Sequence, residues 1–272
     1  MEIIIKIKNK WWQMDWKEIW QFRDLFYFLT WKDLKVKYKQ TVVGAAWAIF
    51  QPFITMVIFS IFFGRLAQMP SDGIPYPIFV YTGLLFWTLF NTGLTNASNS
   101  FVVNEKIVTK IYFPRFILPA SAIITNVIDF FIASFILVLL MMYYQYMPTL
   151  SGLLLFPLLL CMTIFSAFGI GIFFASLNVK YRDVRFILPF FIQLLMFLTP
   201  VIYPVSIAPE KYQWLLGINP MSGVIDVARS SLLGVGSINW SLLGMSTFMM
   251  CIYFIVGFLY FRKVEHYFAD VI

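Results

Sequence analysis

Six apolar stretches, each about as long as a bilayer-crossing helix, take up most of this 272-residue chain. A helix needs about 20 mostly apolar residues to cross the hydrocarbon core. Lipid supplies no hydrogen-bond partners, so each span must satisfy its own backbone, as a helix does. We place the spans at 44–66, 77–99, 119–143, 151–176, 187–205 and 240–261. The expected fold is therefore an all-α integral membrane protein with six transmembrane helices. With 61% hydrophobic and only 12% charged residues, it leaves no room for a soluble catalytic domain.

The basic residues give the orientation. Lysine and arginine collect on the cytoplasmic side of membrane proteins. With both termini inside, seventeen of the twenty fall in the segments before span one, at 100–118, at 177–186 and after span six; Arg65, Lys211 and Arg229 fall outside. The net charge of +7 follows from this asymmetry and from anionic headgroups, so nucleic acid is not an expected partner. Ile3–Ile5 is too short for a signal-peptide core, so no cleaved leader is expected. Cys161 and Cys251, within spans, read as inert core thiols. A single histidine, His266, argues against a metal site or a histidine-dependent triad, and no phosphate-binding loop is present.

The segment 12–40 is amphipathic rather than spanning. Trp12, Trp16, Trp20, Tyr27, Trp31 and Leu34 share one helical face, and Lys17, Asp24, Lys32, Lys35 and Lys39 lie mostly on another. This is the pattern of an interface helix, with aromatics at headgroup level. The chain thus divides into an interface segment, 1–43, and a six-helix domain, 44–272. In the loop 100–118, Asn104 is placed to cap a short helix that Pro114 ends. Between spans five and six, Pro209 and Pro220 each open a short apolar helix, ended by Gly217 and Gly234. We expect these two outer helices to be re-entrant, with Asp226 and Arg229 paired at i, i+3 as an outer gate.

Three stripes are candidate linings. Tyr81, Thr88, Thr92, Thr95 and Asn99 occupy a narrow arc of span two, with Leu94 expected on its lipid side. Gly44, Ala48, Gln51 and Thr55 repeat the pattern in span one, and Phe186, Phe190, Gln193 and Phe197 share a face of span five. Polar stripes serve as helix glue or as a conduit, and aromatic stripes as packing or as a sugar-sliding surface; the sequence leaves both open. Asp129, deep in span three with Asn126 one turn away, reads as a structural hydrogen bond to a neighbouring helix.

The residues Asp33-Leu34-Lys35-Val36-Lys37-Tyr38-Lys39-Gln40-Thr41-Val42-Val43-Gly44, running into Trp47 and Gln51-Pro52, resemble the start of polysaccharide-exporting ABC permeases of the type 2 class. So do Lys110-Ile111-Tyr112-Phe113-Pro114-Arg115, the run Leu177 to Val184, Thr199-Pro200-Val201-Ile202-Tyr203-Pro204 and Asn219-Pro220-Met221. O-antigen exporters are the foremost resemblance, wall teichoic acid exporters the second. The resemblance implies a homodimer with two ATPase subunits that bind ATP and Mg, this chain holding no cofactor of its own. It implies coupling helices at 104–111 and 178–184, through Asn104, Glu105, Lys106, Lys110, Tyr181, Arg182 and Asp183. The implied cargo is a lipid-linked polysaccharide passing from the inner to the outer leaflet of the plasma membrane, with the linings of the two copies around a shared axis. An intramembrane transferase is the rival from another class. The outer acids Asp72, Glu210 and Asp226 lack the clustering it would need.

Overall fold

The computed structural model describes residues 16–39, 46–181 and 183–268. All regular elements among them are helical. Helices α1 (Trp16–Gln21) and α2 (Arg23–Lys39) precede α3 (Ala46–Phe59), which widens into a π-helical stretch, Ser60–Leu66. Then come α4 (Tyr76–Val103), α5 (Glu105–Val108), α6 (Ile117–Tyr143), α7 (Leu150–Lys180) and α8 (Val184–Leu198). The chain finishes with α9 (Glu210–Leu216), α10 (Pro220–Leu233) and α11 (Trp240–Val264).

Five of these are long and apolar enough to cross a membrane: α3 with its π extension, α4, α6, α7 and α11. The stretch expected as span five is shorter. Helix α8 has 15 residues, about 22 Å at 1.5 Å per residue, and stops at the Thr199-Pro200 break. Proline cannot donate to the preceding turn, and the residue before it is driven to extended geometry. Thr199 has ψ 138°.

Long-range hydrogen bonds sort the connections onto two ends. At one end Lys32 Nζ donates to Asn104 Oδ1 (3.0 Å), Tyr112 Oη to Glu18 Oε1 (3.0 Å), and Asn178 Nδ2 to Asn99 Oδ1 (3.0 Å). Arg115 joins the same end by donating to the Glu265 carbonyl. These are the lysine- and arginine-rich segments, so we call this the basic end. At the other end Tyr76 Oη donates to the Ile202 carbonyl (2.8 Å), Ser206 Oγ to Asp72 Oδ1 (2.7 Å), and Thr149 Oγ1 to the Ser231 carbonyl (2.5 Å).

Helix α4 is the axis of the bundle, packed by α3, α6, α7, α8 and α10. From Ile78 to Leu94 its apolar residues are buried on every side, so Leu94 is 1% exposed and faces protein, not lipid as expected. Helices α7 and α11 lie backbone to backbone at Gly169 and Gly257, where small residues allow close approach. Cys161 and Cys251 are exposed on the outside of the bundle rather than in its core.

Helix α10 begins as its sequence dictates, with Asn219 Oδ1 accepting from Met221 N (3.1 Å) and Pro220 in the first turn. It ends at Gly234, φ 67°, a left-handed cap. The shorter α9 starts one residue later than expected, with Pro209 flanking it rather than inside. Helix α9 is exposed, while α10 is buried against α4, α7 and α11.

Candidate functional site

A cavity of about 340 Å³ lies between the end of α2 and helices α3, α4 and α6. Its polar lining combines Gln51 of α3, Thr88 and Thr92 of α4, and Asn126 and Asp129 of α6 with Lys37 and Tyr38 of α2. Trp47, Pro52, Leu85 and Phe130 are among the apolar residues that complete the wall. The structure thus brings part of the two polar stripes together, in one chain and beside Asp129.

The rest of the α4 stripe goes elsewhere. Tyr81 is fully buried and its hydroxyl donates to the Ala133 carbonyl (2.9 Å), tying α4 to α6. Asn99 accepts from Asn178 of α7, and its own amide donates to the Thr95 carbonyl (3.0 Å). Thr95 Oγ1 reaches Asn91 Oδ1 at 3.5 Å. Thr55 returns its hydroxyl to the Gln51 carbonyl (2.9 Å) on α3. Tyr81 and Asn99 are helix glue, and the stripe's middle, Thr88 and Thr92, faces the cavity.

The aromatic stripe of α8 is exposed among the described residues. Phe190 is 63% and Phe197 54% exposed, with Phe186 and Gln193 beside them on the same open face. Helix α8 touches the bundle mainly through α4 and α7, burying Leu188 and Ile192.

At the basic end the loop helix is a single turn, α5, rather than the longer 104–111. Asn104 does not cap it. Its amide oxygen accepts from Lys32 and its nitrogen donates to the Ser100 carbonyl (2.9 Å). Glu105, Lys106 and Lys110 are exposed, with Val103 and Ile111 exposed alongside. Tyr112, held by Glu18, has its pKa raised by burial and then by that hydrogen bond to the carboxylate. No separate helix forms at 178–184 among the described residues: α7 runs to Lys180 and α8 begins at Val184. Tyr181 and Asp183 stand exposed in the short turn between them, and Arg182 lies outside the described residues.

The expected ion pair of Asp226 with Arg229 is not formed. The Arg229 guanidinium donates instead to backbone carbonyls: Nε to Phe79 (3.0 Å), Nη1 to Pro200 (2.7 Å) and Tyr203 (3.4 Å), and Nη2 to Val201 (2.6 Å). It also lies 3.5 Å over the Phe79 ring. The reason is local: α8 ends early, and the carbonyls of its broken continuation have no helical donors. Gly83 makes the space, since a Cβ there would stand 2.7 Å from Arg229 Nη2.

Residues 24–233 match the family model of the ABC-2 type transporter. The chain belongs to that family. It is 30% identical over 251 residues to the O-antigen export system permease protein RfbA of Klebsiella pneumoniae, a match covering 92% of this chain and 95% of that one. A protein of the same name from Myxococcus xanthus is 28% identical, over 75% of this chain and 78% of its own length. The polysialic acid transport protein KpsM of Escherichia coli is 22% identical, over 74% and 78%. This ABC-2 chain is thus a multi-pass membrane protein homologous to O-antigen export permeases and to a polysialic acid transport protein.

Sequence reasoning missed two members of the site, Lys37 and Tyr38. They read as interface residues, and only the packing of α2 against α6 carries them to Asp129. The period of α2 held the available signal: Lys37 falls on the face of Phe26, Leu29, Thr30 and Asp33, not with the outward Trp20, Tyr27 and Trp31.

Proposed function

We propose that this chain is the transmembrane subunit of an ATP-driven exporter that moves a lipid-linked polysaccharide of O-antigen type from the cytoplasmic to the outer side of the plasma membrane. The observation that carries this reading is the near full-length similarity to an O-antigen export permease. The basic end is then cytoplasmic, with both termini there, and α8 with its broken continuation makes the sixth crossing. Two separate ATPase subunits bind ATP and Mg and do the hydrolysis; the chain itself is not an enzyme.

The exposed turn of α5, with Glu105, Lys106 and Lys110, is the docking handle for the ATPase, joined by Tyr181 and Asp183. Replacing Glu105 and Lys110 together by alanine is expected to leave insertion intact and to cut export at least tenfold, measured as surface glycan in cells. Undiminished export, with undiminished stimulation of the ATPase, would make the loop a connector only.

Two copies of the chain complete the conduit. Among the described residues nothing covers the aromatic face of α8 (Phe190, Gln193, Phe197) or the side of α3 that carries Phe50, Ile54 and Val57, which supports a two-fold partner there. Thr88 and Thr92 stand behind α3, and the cavity they line opens into the pathway during transport. Thr92→Trp is expected to block export without lowering recovery of the complex, because the indole fills the cavity. Leu154→Trp, on an exposed face of α7, is the tolerated control. Full export by Thr92→Trp would remove the cavity from the pathway.

A further inference from the structure

We infer that Lys37 and Tyr38 form a bolt, with Asp129 as its catch, that holds α2 shut over the cavity until the basic end moves. A lone carboxylate twelve residues into α6, about 18 Å from the helix start at 1.5 Å per residue, is costly in hydrocarbon. Both of its oxygens are satisfied from α2: Lys37 donates to Oδ2 and Tyr38 to Oδ1. Lys37, Tyr38 and Asp129 are also cavity-lining residues, so the bolt is part of the cavity wall.

The same helix is tied to the loop that carries α5. Lys32, about 7 Å back along α2, donates to Asn104, the residue that leads into α5. Glu18, at the start of the segment, accepts from Tyr112 beyond α5. Helix α2 therefore touches the loop at Lys32 and the cavity at Lys37, five residues on, while α1 adds a second loop contact at Glu18. The hold of α2 on the bundle is one-sided: Leu29 and Thr30 are buried, while Tyr27, Phe28 and Trp31 face away from it. A shift of the α5 loop pulls on α2, and the contact at Asp129 resists it.

The chemistry makes this contact two-state. Parting the contact strips both Asp129 oxygens of these donors inside a largely apolar cavity, which is tolerable only if water or polar cargo enters at once. The Lys37 and Asp129 side chains are 40% and 18% exposed, so water lies within reach of the break. Bolted, or unbolted with water or cargo at Asp129, are the two stable arrangements.

This inference rests on the exporter reading for its purpose, but its test uses no cargo. In full-length chain with Cys161 and Cys251 replaced by alanine, a single cysteine at Thr88 reports on the cavity. Its reaction with a small, charged methanethiosulfonate is followed in membranes open at the basic end. Asp129→Asn and Lys37→Met are expected to speed labelling at least tenfold, and Tyr38→Phe about threefold. If Asp129→Asn fails to insert, Lys37→Met and Tyr38→Phe decide. Rates within twofold of the parent in the inserted variants would overturn the bolt, even if their melting temperatures fell, because that is what a purely structural tie gives. Faster labelling in cells whose parent chain exports no glycan would leave the bolt standing and sink the exporter reading.

Discussion

Arg229→Leu is expected to leave almost no stable chain, whereas Asp226→Ala should fold and insert. Arg229 is 5% exposed and supplies donors to Pro200, Val201 and Tyr203, whose carbonyls follow the early end of α8. A buried carbonyl stripped of its donor costs about 1–3 kcal/mol, and leucine removes the donor from these three and from the Phe79 carbonyl at once. Loss of the contact with the Phe79 ring adds to this. Marginal stability cannot absorb such a sum. Arg229→Lys keeps the charge but not the planar fork, and should be intermediate. Gly83→Ala should reproduce part of the effect with the arginine still present, because its methyl group meets Nη2. The measurements are thermal unfolding of the detergent-purified chain and its level in membranes. A double-mutant cycle of Arg229→Lys with Asp226→Ala should show only weak coupling, since the two side chains share no hydrogen bond and attract each other only through space. Strong coupling in that cycle would restore the ion pair and discard the carbonyl clamp.

Gly257→Val is the second change with a large expected effect. A Cβ at Gly257 would stand 2.0 Å from the Gly169 carbonyl oxygen, and one at Gly169 would stand 2.5 Å from the Phe254 Cα. Both obstacles are backbone, so no rotamer change relieves them. The two helices must separate, and the packing of α7 on α11 is lost along its length. Overpacking a core costs about 1–3 kcal/mol where side chains can adjust, and more is expected where they cannot. Van der Waals packing drives helix association in lipid, so no hydrophobic gain offsets the loss. The expected outcome is a chain that inserts yet is degraded or aggregates on extraction, with export abolished. Gly244→Val, at a position with nothing within 4 Å, is the control and should be neutral. A stable, transport-competent Gly257→Val would mean that α11 sits differently on α7.

The sequence by itself determined what depends on near neighbours along the chain. Apolar length marked five of the six expected crossing helices, Asn219 and Gly234 marked the ends of α10, and the placement of lysine and arginine sorted the connections into two groups. The structure brings the basic segments to one end, as that pattern requires. The aromatic side of α2 was legible for the same reason, since helical period alone separates it from the face that packs. Only the tertiary structure decided which side of each apolar helix meets protein. Lipid tails and leucine side chains are equally apolar, so hydropathy carries no mark of the packed face. Hence Leu94, on the face opposite a polar stripe, is buried at the bundle axis, while Phe190 and Phe197 stand open. The same ignorance of neighbours paired Arg229 with Asp226 by spacing, when an early helix end elsewhere offered it carbonyls in need of a donor. It also left Asp129 without the lysine and tyrosine that meet it across some ninety residues of chain.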